Sequence, residues 1–309
     1  MNLKNLLSFF SLTLVCHVAF AQNPYITEET VGIVAQWEVG DTASYLYESN
    51  SETIKEEKKD DYFSRSGEIF VKVAKADEHS YILHWSYKNL VTDENSSARL
   101  KVLGRLMSQS VFKYRVNEVG QFEEIINWNE IRIRANQQLD AMLKESKSPD
   151  EKALIKGVKE GLQSKEAVTY FLGQDIIFFH YIMGIELSRK EPLKTTSELP
   201  NLFIPSKPYP CDLVISTDSI NTQTSVGYFS IEQTGDVEAC TEILRESLAT
   251  FIKGGKKKEL DEVLTEFQLK DNHRFIYDLD TGWPLFIQQS RNSNLVIMSS
   301  KVNMTITKQ

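Results

Sequence analysis

From Thr42 to about Asn117, apolar and polar residues change places at every second position. Ala43, Tyr45 and Tyr47 alternate with Ser44, Leu46 and Glu48. Ile69, Val71 and Val73 alternate with Phe70, Lys72 and Ala74, and Tyr81, Leu83, Trp85 and Tyr87 with Ile82, His84, Ser86 and Lys88. A period of two in β-branched and aromatic residues predicts strands with one face covered. The polar tracts Glu56–Asp61 and Thr92–Ser97 predict turns, and Val111–Val116 predicts another short strand, ending at the turn Asn117–Gly120.

Between Asn127 and Gly184 the period becomes helical, and three helices are predicted. Asn127 with Glu130 has the spacing of a capping box, and Ile131, Ala135, Leu139 and Met142 then fall on one face. Ser148-Pro149-Asp150-Glu151 places a cap, a proline and two acids at the start of the second helix. Ser164 caps the third, whose span Ala167–Met183 is apolar on nearly every side, as in a central core helix. After Ile185 the prolines of Glu191–Pro210 predict an irregular connector with short extended pieces. Leu213–Thr217 and Ser225–Ile231 predict strands, and a helix runs from Gly235 to about Lys253. Lys256–Leu269 reads equally as helix or strand. Phe275–Leu279, Leu285–Gln289 and Leu295–Ile306 then form a meander, with turns at Asp280-Thr281-Gly282 and Arg291–Asn294.

Strands, then helices, then strands, without βαβ alternation, predict an α+β fold. Its antiparallel sheet is expected to wrap one face around a central helical block and leave the other wet. No linker isolates the two strand sets, so residues 22–309 are expected to form one domain; a division near Glu191 is the alternative. The opening strand after Gly40-Asp41 (ASYLYES), the hairpin strands IFVKV and SYILHW, and the closing FIYDLDTGWPLFIQ carry a further likeness. In these stretches the layout resembles exported bacterial proteins with a lipoprotein-carrier-like curved antiparallel sheet, many of them uncharacterised. The resemblance implies a curved antiparallel sheet, half-open and barrel-like, wrapped around the central helical block, with a concave apolar face able to hold a lipid-like ligand.

The first residues have neither period. Lys4 precedes the apolar run Leu6, Leu7, Phe9, Phe10, Leu12, Leu14 and Val15, and Ala19-Phe20-Ala21 follows it. These are the parts of a secretory signal peptide. The run is short of the roughly 20 residues of a membrane span. Cleavage after Ala21, a mature start near Gln22, and a periplasmic or extracellular location are expected; an uncleaved anchor is the alternative. Thr13-Leu14-Val15 lacks the small residue that a lipoprotein signal places directly before its cysteine, here Cys16. No later stretch has the length and apolarity of a span. The formal net charge is −8, which disfavours a nucleic-acid partner. Cys211 and Cys240 are the cysteines beyond the leader, and in an oxidising compartment such a pair is expected to bridge, two buried thiols being the alternative.

Candidate chemistry is sparse. The histidines His17, His79, His84, His180 and His273 show neither H-x-x-H nor H-E-x-x-H spacing, so no metal is expected. The chain has no G-x-S-x-G elbow and no phosphate-binding glycine loop, so neither a catalytic residue nor a cofactor is assigned. Asp278, Asp280 and Gly282 fit a hairpin turn better than a calcium loop. Lys253–Lys258 reads as a solvated basic loop, with contact to an anionic headgroup as the alternative. The ligand-binding candidates are Tyr45, Tyr47, Tyr81, Trp85, Phe171 and Phe178, lining a groove between sheet and helices. Asp175 and His180 are their polar anchors, since a carboxylate on an apolar helix must meet a donor or face a cavity. Asp175 and His180 stand five residues apart, about 140° from alignment, and so form no dyad. The expected function is that of an exported, non-catalytic protein binding an apolar or amphipathic molecule, lipid-like, or a protein partner. The alternative is an exported hydrolase with dispersed acids and a histidine; a cleft joining His84, His180 or His273 to an acid would favour it.

Overall fold

The computed structural model describes residues 25–55, 58–201, 207–249, 267–295 and 298–309. The leader with its expected cleavage site, the basic run 253–258 and residues 256–266 lie outside these. Strand β1 (Thr30–Gly32) pairs with β7 (Glu186–Ser188) in a small sheet of its own. The alternating segments form β2 (Thr42–Lys55), β3 (Lys58–Ala76), β4 (Ser80–Thr92), β5 (Val111–Asn117) and β6 (Phe122–Ile125). The later set is β8 (Leu193–Leu199), β9 (Tyr209–Asn221), β10 (Val226–Gly235), β11 (Gln268–Asp278), β12 (Pro284–Leu295) and β13 (Met298–Lys308). Together they make one antiparallel sheet of 11 strands, in the order β6-β5-β4-β3-β2-β13-β12-β11-β10-β9-β8. The first meander runs outward from the middle. The second starts at the opposite edge and returns until β13 pairs with β2, Ile306 lying across from Tyr47. Strands from both sides of residue 191 therefore belong to one sheet, which is open, with β6 and β8 as its edges.

Helices α1 (Ala98–Ser108), α2 (Trp128–Glu145), α3 (Pro149–Gly161), α4 (Lys165–Leu172) and α5 (Gln174–Phe179) precede β7, and α6 (Val237–Ala249) lies between β10 and β11. Period two puts Tyr45, Tyr47, Ile69, Trp85, Tyr114, Phe275 and Tyr277 on the covered face of the sheet. There they share one core with Leu106, Ile131, Leu139, Ile155, Val168, Ile176 and Phe179 of the helices. Phe179 stands edge-on to Tyr45 and Trp85, with ring centroids 5.3 and 5.2 Å away. Truncating a core aromatic of this kind costs about 3–5 kcal/mol. The other face of the sheet is wetter, as one-sided antiparallel sheets are: Leu46 and Tyr228 are exposed there.

Several expectations are corrected. Ala167–Met183 is not one helix, because the chain breaks at Gly173 between α4 and α5. A Cβ at Gly173 would stand 2.7 Å from Ile125 Cδ1 and 3.0 Å from the Thr169 carbonyl oxygen, so a larger residue there would displace the Ile125 side chain of β6. Asn127 does not cap α2 with its side chain. It bonds β5 instead, accepting from the Lys113 N–H (2.8 Å) and donating to the Val111 carbonyl (2.9 Å). Ser148 and Ser164 do cap, accepting from the N–H groups of Glu151 and Ala167. The expected turn Arg291–Asn294 is strand, paired on both sides, because ladder bonds need no apolar side chains. Lys58–Asp61, expected as turn, belongs to β3; the short extended pieces expected in the connector include edge strand β8. The Asp280-Thr281-Gly282 turn is present, with Gly282 at φ 73°. Helix α1 and strand β6 have no counterpart in the sequence reading.

Candidate functional site

Five of the six expected groove residues pack into the interior instead of lining an opening. Tyr45, Tyr47, Trp85 and Phe178 are buried, and Phe178 packs on Phe275 and His273 at 5.3 and 4.8 Å between ring centroids. Tyr81 is half-buried and donates its hydroxyl to the Ala35 carbonyl (3.4 Å). The physical reason is α5. Its Ile176, Phe178 and Phe179 occupy the space where a ligand was expected. Only Phe171 borders a hollow, described below.

Asp175 meets donors, as a buried carboxylate must. The Tyr87 hydroxyl donates to it (2.6 Å), and Arg65 Nη2 stands 3.7 Å from the same oxygen. Arg65 also donates to the Tyr47 hydroxyl and faces Met107 Sδ at 2.8 Å. Burial alone would lower the Arg65 pKa; Tyr47 and Asp175 outweigh it and raise it. Burial raises that of Tyr47, against the pull of Arg65. The quartet is a neutralised internal knot rather than a reactive centre. His180 does not join it. Its Nδ1 lies 2.8 Å from the Gly120 carbonyl and its Nε2 3.0 Å from the Tyr114 hydroxyl. Nδ1 therefore carries the proton and Nε2 accepts. Burial pushes its pKa down to about 3, so the ring is neutral.

A second polar knot went unread in the sequence. Arg291 grips Asp271 through two nitrogens, Nε at 2.8 Å and Nη2 at 2.7 Å. His273 Nε2 lies 3.3 Å from Gln233 Oε1 and 3.9 Å from Asp271, beyond hydrogen-bond reach. Burial holds the His273 pKa down at about 4. The signal was available. Extending the period of Phe275 backward puts His273 and Asp271 on the covered face, where an acid demands a cation. Of the histidines named for a hydrolase, His84 sits on the wetter face and the other two are locked as described.

The expected Cys211–Cys240 bridge is not formed. Both thiols are free and buried in a satellite cluster with Leu199, Tyr209, Leu244, Phe267 and Leu269. Cys211 Sγ faces Gln233 Nε2 and Cys240 Sγ faces the Pro210 carbonyl, each at 3.6 Å. Burial pushes the Cys240 thiol up to about 11, which suppresses the reactive thiolate.

The hollow lies among helices. A cavity of about 290 Å³ is lined by Arg99 and Leu103 of α1, Leu154, Gly157, Val158 and Gly161 of α3, then Leu162 and Phe171. Gly157 and Gly161 stand four apart on one face of α3 and give the hollow its room. A Cβ at Gly157 would meet nothing within 4 Å, and one at Gly161 only the Phe171 ring at 3.8 Å. Each glycine forgoes about 1 kcal/mol of helix propensity relative to alanine. Arg99 is exposed, and its guanidinium carbon lies 5.7 Å from the centroid of the Phe171 ring. Sequence reasoning named Phe171 and the helix that is α3, but not Arg99 and Leu103, because α1 itself was missed. No group of three or more histidine, cysteine or acidic side chains able to hold a metal occurs among the described residues. No described helix is long and apolar enough to cross a membrane.

No protein-family model matches this chain, and none of the curated proteins does. Among solved structures it is similar to a lipovitellin chain, from a study of lipid–protein interactions in lipovitellin, with a TM-score of 0.44 and 8% sequence identity. The match covers 89% of this chain and 25% of that one, so the chain spans about a quarter of its neighbour's length.

Proposed function

We propose that this chain is an exported, non-catalytic protein that holds a small apolar or amphipathic molecule in the cavity between α1, α3 and α4. One observation carries the reading: an apolar hollow of about 290 Å³ kept free by two glycines on one helix face. This volume lies at the small end of ligand pockets, and an apolar lining with a single polar group is their usual build. The pattern of residues 1–21 supports export. One-sided burial along the strands supports a sheet that curls, as a half-open barrel does, about the helices. Neutral, hydrogen-bonded His180 and the closed Asp271–Arg291 pair favour binding over hydrolysis.

The test is fluorescence of the neutral probe N-phenyl-1-naphthylamine with the mature chain. Saturable enhancement is expected with the natural sequence and its loss in a Gly157→Leu/Gly161→Leu variant, whose side chains fill the hollow. Equal enhancement in both would reject the site. N-terminal sequencing of secreted material is expected to start near Gln22, and an intact Met1 would reject cleavage.

A further inference from the structure

We infer that the molecule held in this cavity is a single-chain monoanion, a medium-length acyl chain ending in a carboxylate whose head lies at Arg99. This rests on the reading of the cavity as a binding site and adds the chemistry of the occupant. Of the eight residues that line the hollow, seven are apolar or glycine, and Arg99 alone is charged. Arg99 makes no ion pair with a carboxylate among the described residues; its partner is the face of Phe171. The acidic and basic side chains of α3 that are near one another, Lys156, Lys159 and Glu160, border a different surface depression and not this one. The hollow therefore combines a greasy floor of Leu103, Leu154, Val158, Leu162 and Phe171 with one cation at its open side, where Gly157 and Gly161 are exposed as well.

A guanidinium presents a planar fork of donors that matches a carboxylate bidentately, and stacking on an aromatic ring holds that fork in one plane. A cationic head would be repelled by Arg99, and an uncharged one would leave the fork to water. The volume decides the tail. At about 290 Å³ the space has room for one acyl chain and not for two side by side.

Isothermal titration calorimetry on the mature chain with decanoate and decan-1-ol, which share a tail and differ in charge, separates the possibilities. Decanoate is expected to bind at least tenfold more tightly than decanol at neutral pH and low salt, with the margin narrowing as salt rises. Arg99→Gln is expected to bring decanoate down to the affinity of decanol, and Arg99→Lys to keep part of the difference. Equal affinities in the natural chain, or a preference that survives Arg99→Gln, would overturn the inference while leaving the cavity a binding site. Failure of both ligands to bind would overturn the two readings together.

Discussion

Replacing Asp175 by asparagine removes one charge and almost nothing else. The amide keeps an oxygen for the Tyr87 hydroxyl, now 2.6 Å from the carboxylate, so the shape and that hydrogen bond persist. Arg65 loses its counter-charge. The two groups are 3.7 Å apart and their side chains are 10% and 11% exposed, so solvent screens them little. At an effective dielectric constant of about 20, unit charges at that distance attract by about 4.5 kcal/mol. Breaking a buried pair from one side typically costs about 3–5 kcal/mol, because the remaining charge stays uncompensated. Arg65 retains the Tyr47 hydroxyl and Met107, which places the expected loss near the lower end, about 3 kcal/mol. Urea unfolding followed by tryptophan fluorescence measures it, Trp37, Trp85 and Trp283 being buried reporters. Arg65→Met in the same background should recover much of the loss, and the double-mutant cycle should give a coupling of at least about 2 kcal/mol. An asparagine variant within about 1 kcal/mol of the natural chain, or strictly additive single effects, would refute the reasoning.

Two further predictions concern pH and backbone. His180 and His273 have folded pKa values of about 3 and about 4, below the unfolded value near 6.5, so the unfolded chain takes up protons first as pH falls. Stability should be undiminished by these groups above about pH 6.5. It should fall from there toward pH 4 through both rings and on toward pH 3 through His180, with His273 contributing roughly 3 kcal/mol and His180 roughly 5 kcal/mol, about 8 kcal/mol together. Urea midpoints against pH test this, and His273→Leu should flatten the upper part of the slope; an unchanged slope would reject the assignment. Gly282→Ala should lower the urea midpoint by the equivalent of about 2 kcal/mol or more, because φ is +73° and the new Cβ would lie 2.3 Å from the Val34 carbonyl oxygen. Gly157→Ala, with open space around it, should instead stabilise by up to about 1 kcal/mol.

The strands at the centre of each half-sheet were legible because their aromatic and β-branched residues keep period two. Their lengths were not. Arg291-Asn292-Ser293-Asn294 looks like a turn by composition, yet its backbone pairs with β11 and β13, and Arg291 is held on the covered face by Asp271. Helix α1 begins straight after a polar turn and carries a glycine at its middle, which hides the helical spacing of Val102, Leu103, Leu106 and Met107. That Asp175 needs a donor follows from its apolar helix; that the donors are Tyr87 and Arg65 does not, since Tyr87 is 88 residues away. The aromatic residues were readable as inward-facing. Whether an inward face meets a void or another side chain depends on what packs opposite, and period cannot supply that.

The place of β13 beside β2 has a consequence for how the molecule comes into being. Strand β13, which follows every other described strand in the sequence, lies at the centre of the sheet between β12 and the early strand β2. Until it arrives, each meander has a raw margin, and an unpaired margin invites the wrong neighbour. Such high contact order makes acquisition of the native state slow. A nascent chain stalled short of residue 298 would hold two unjoined halves.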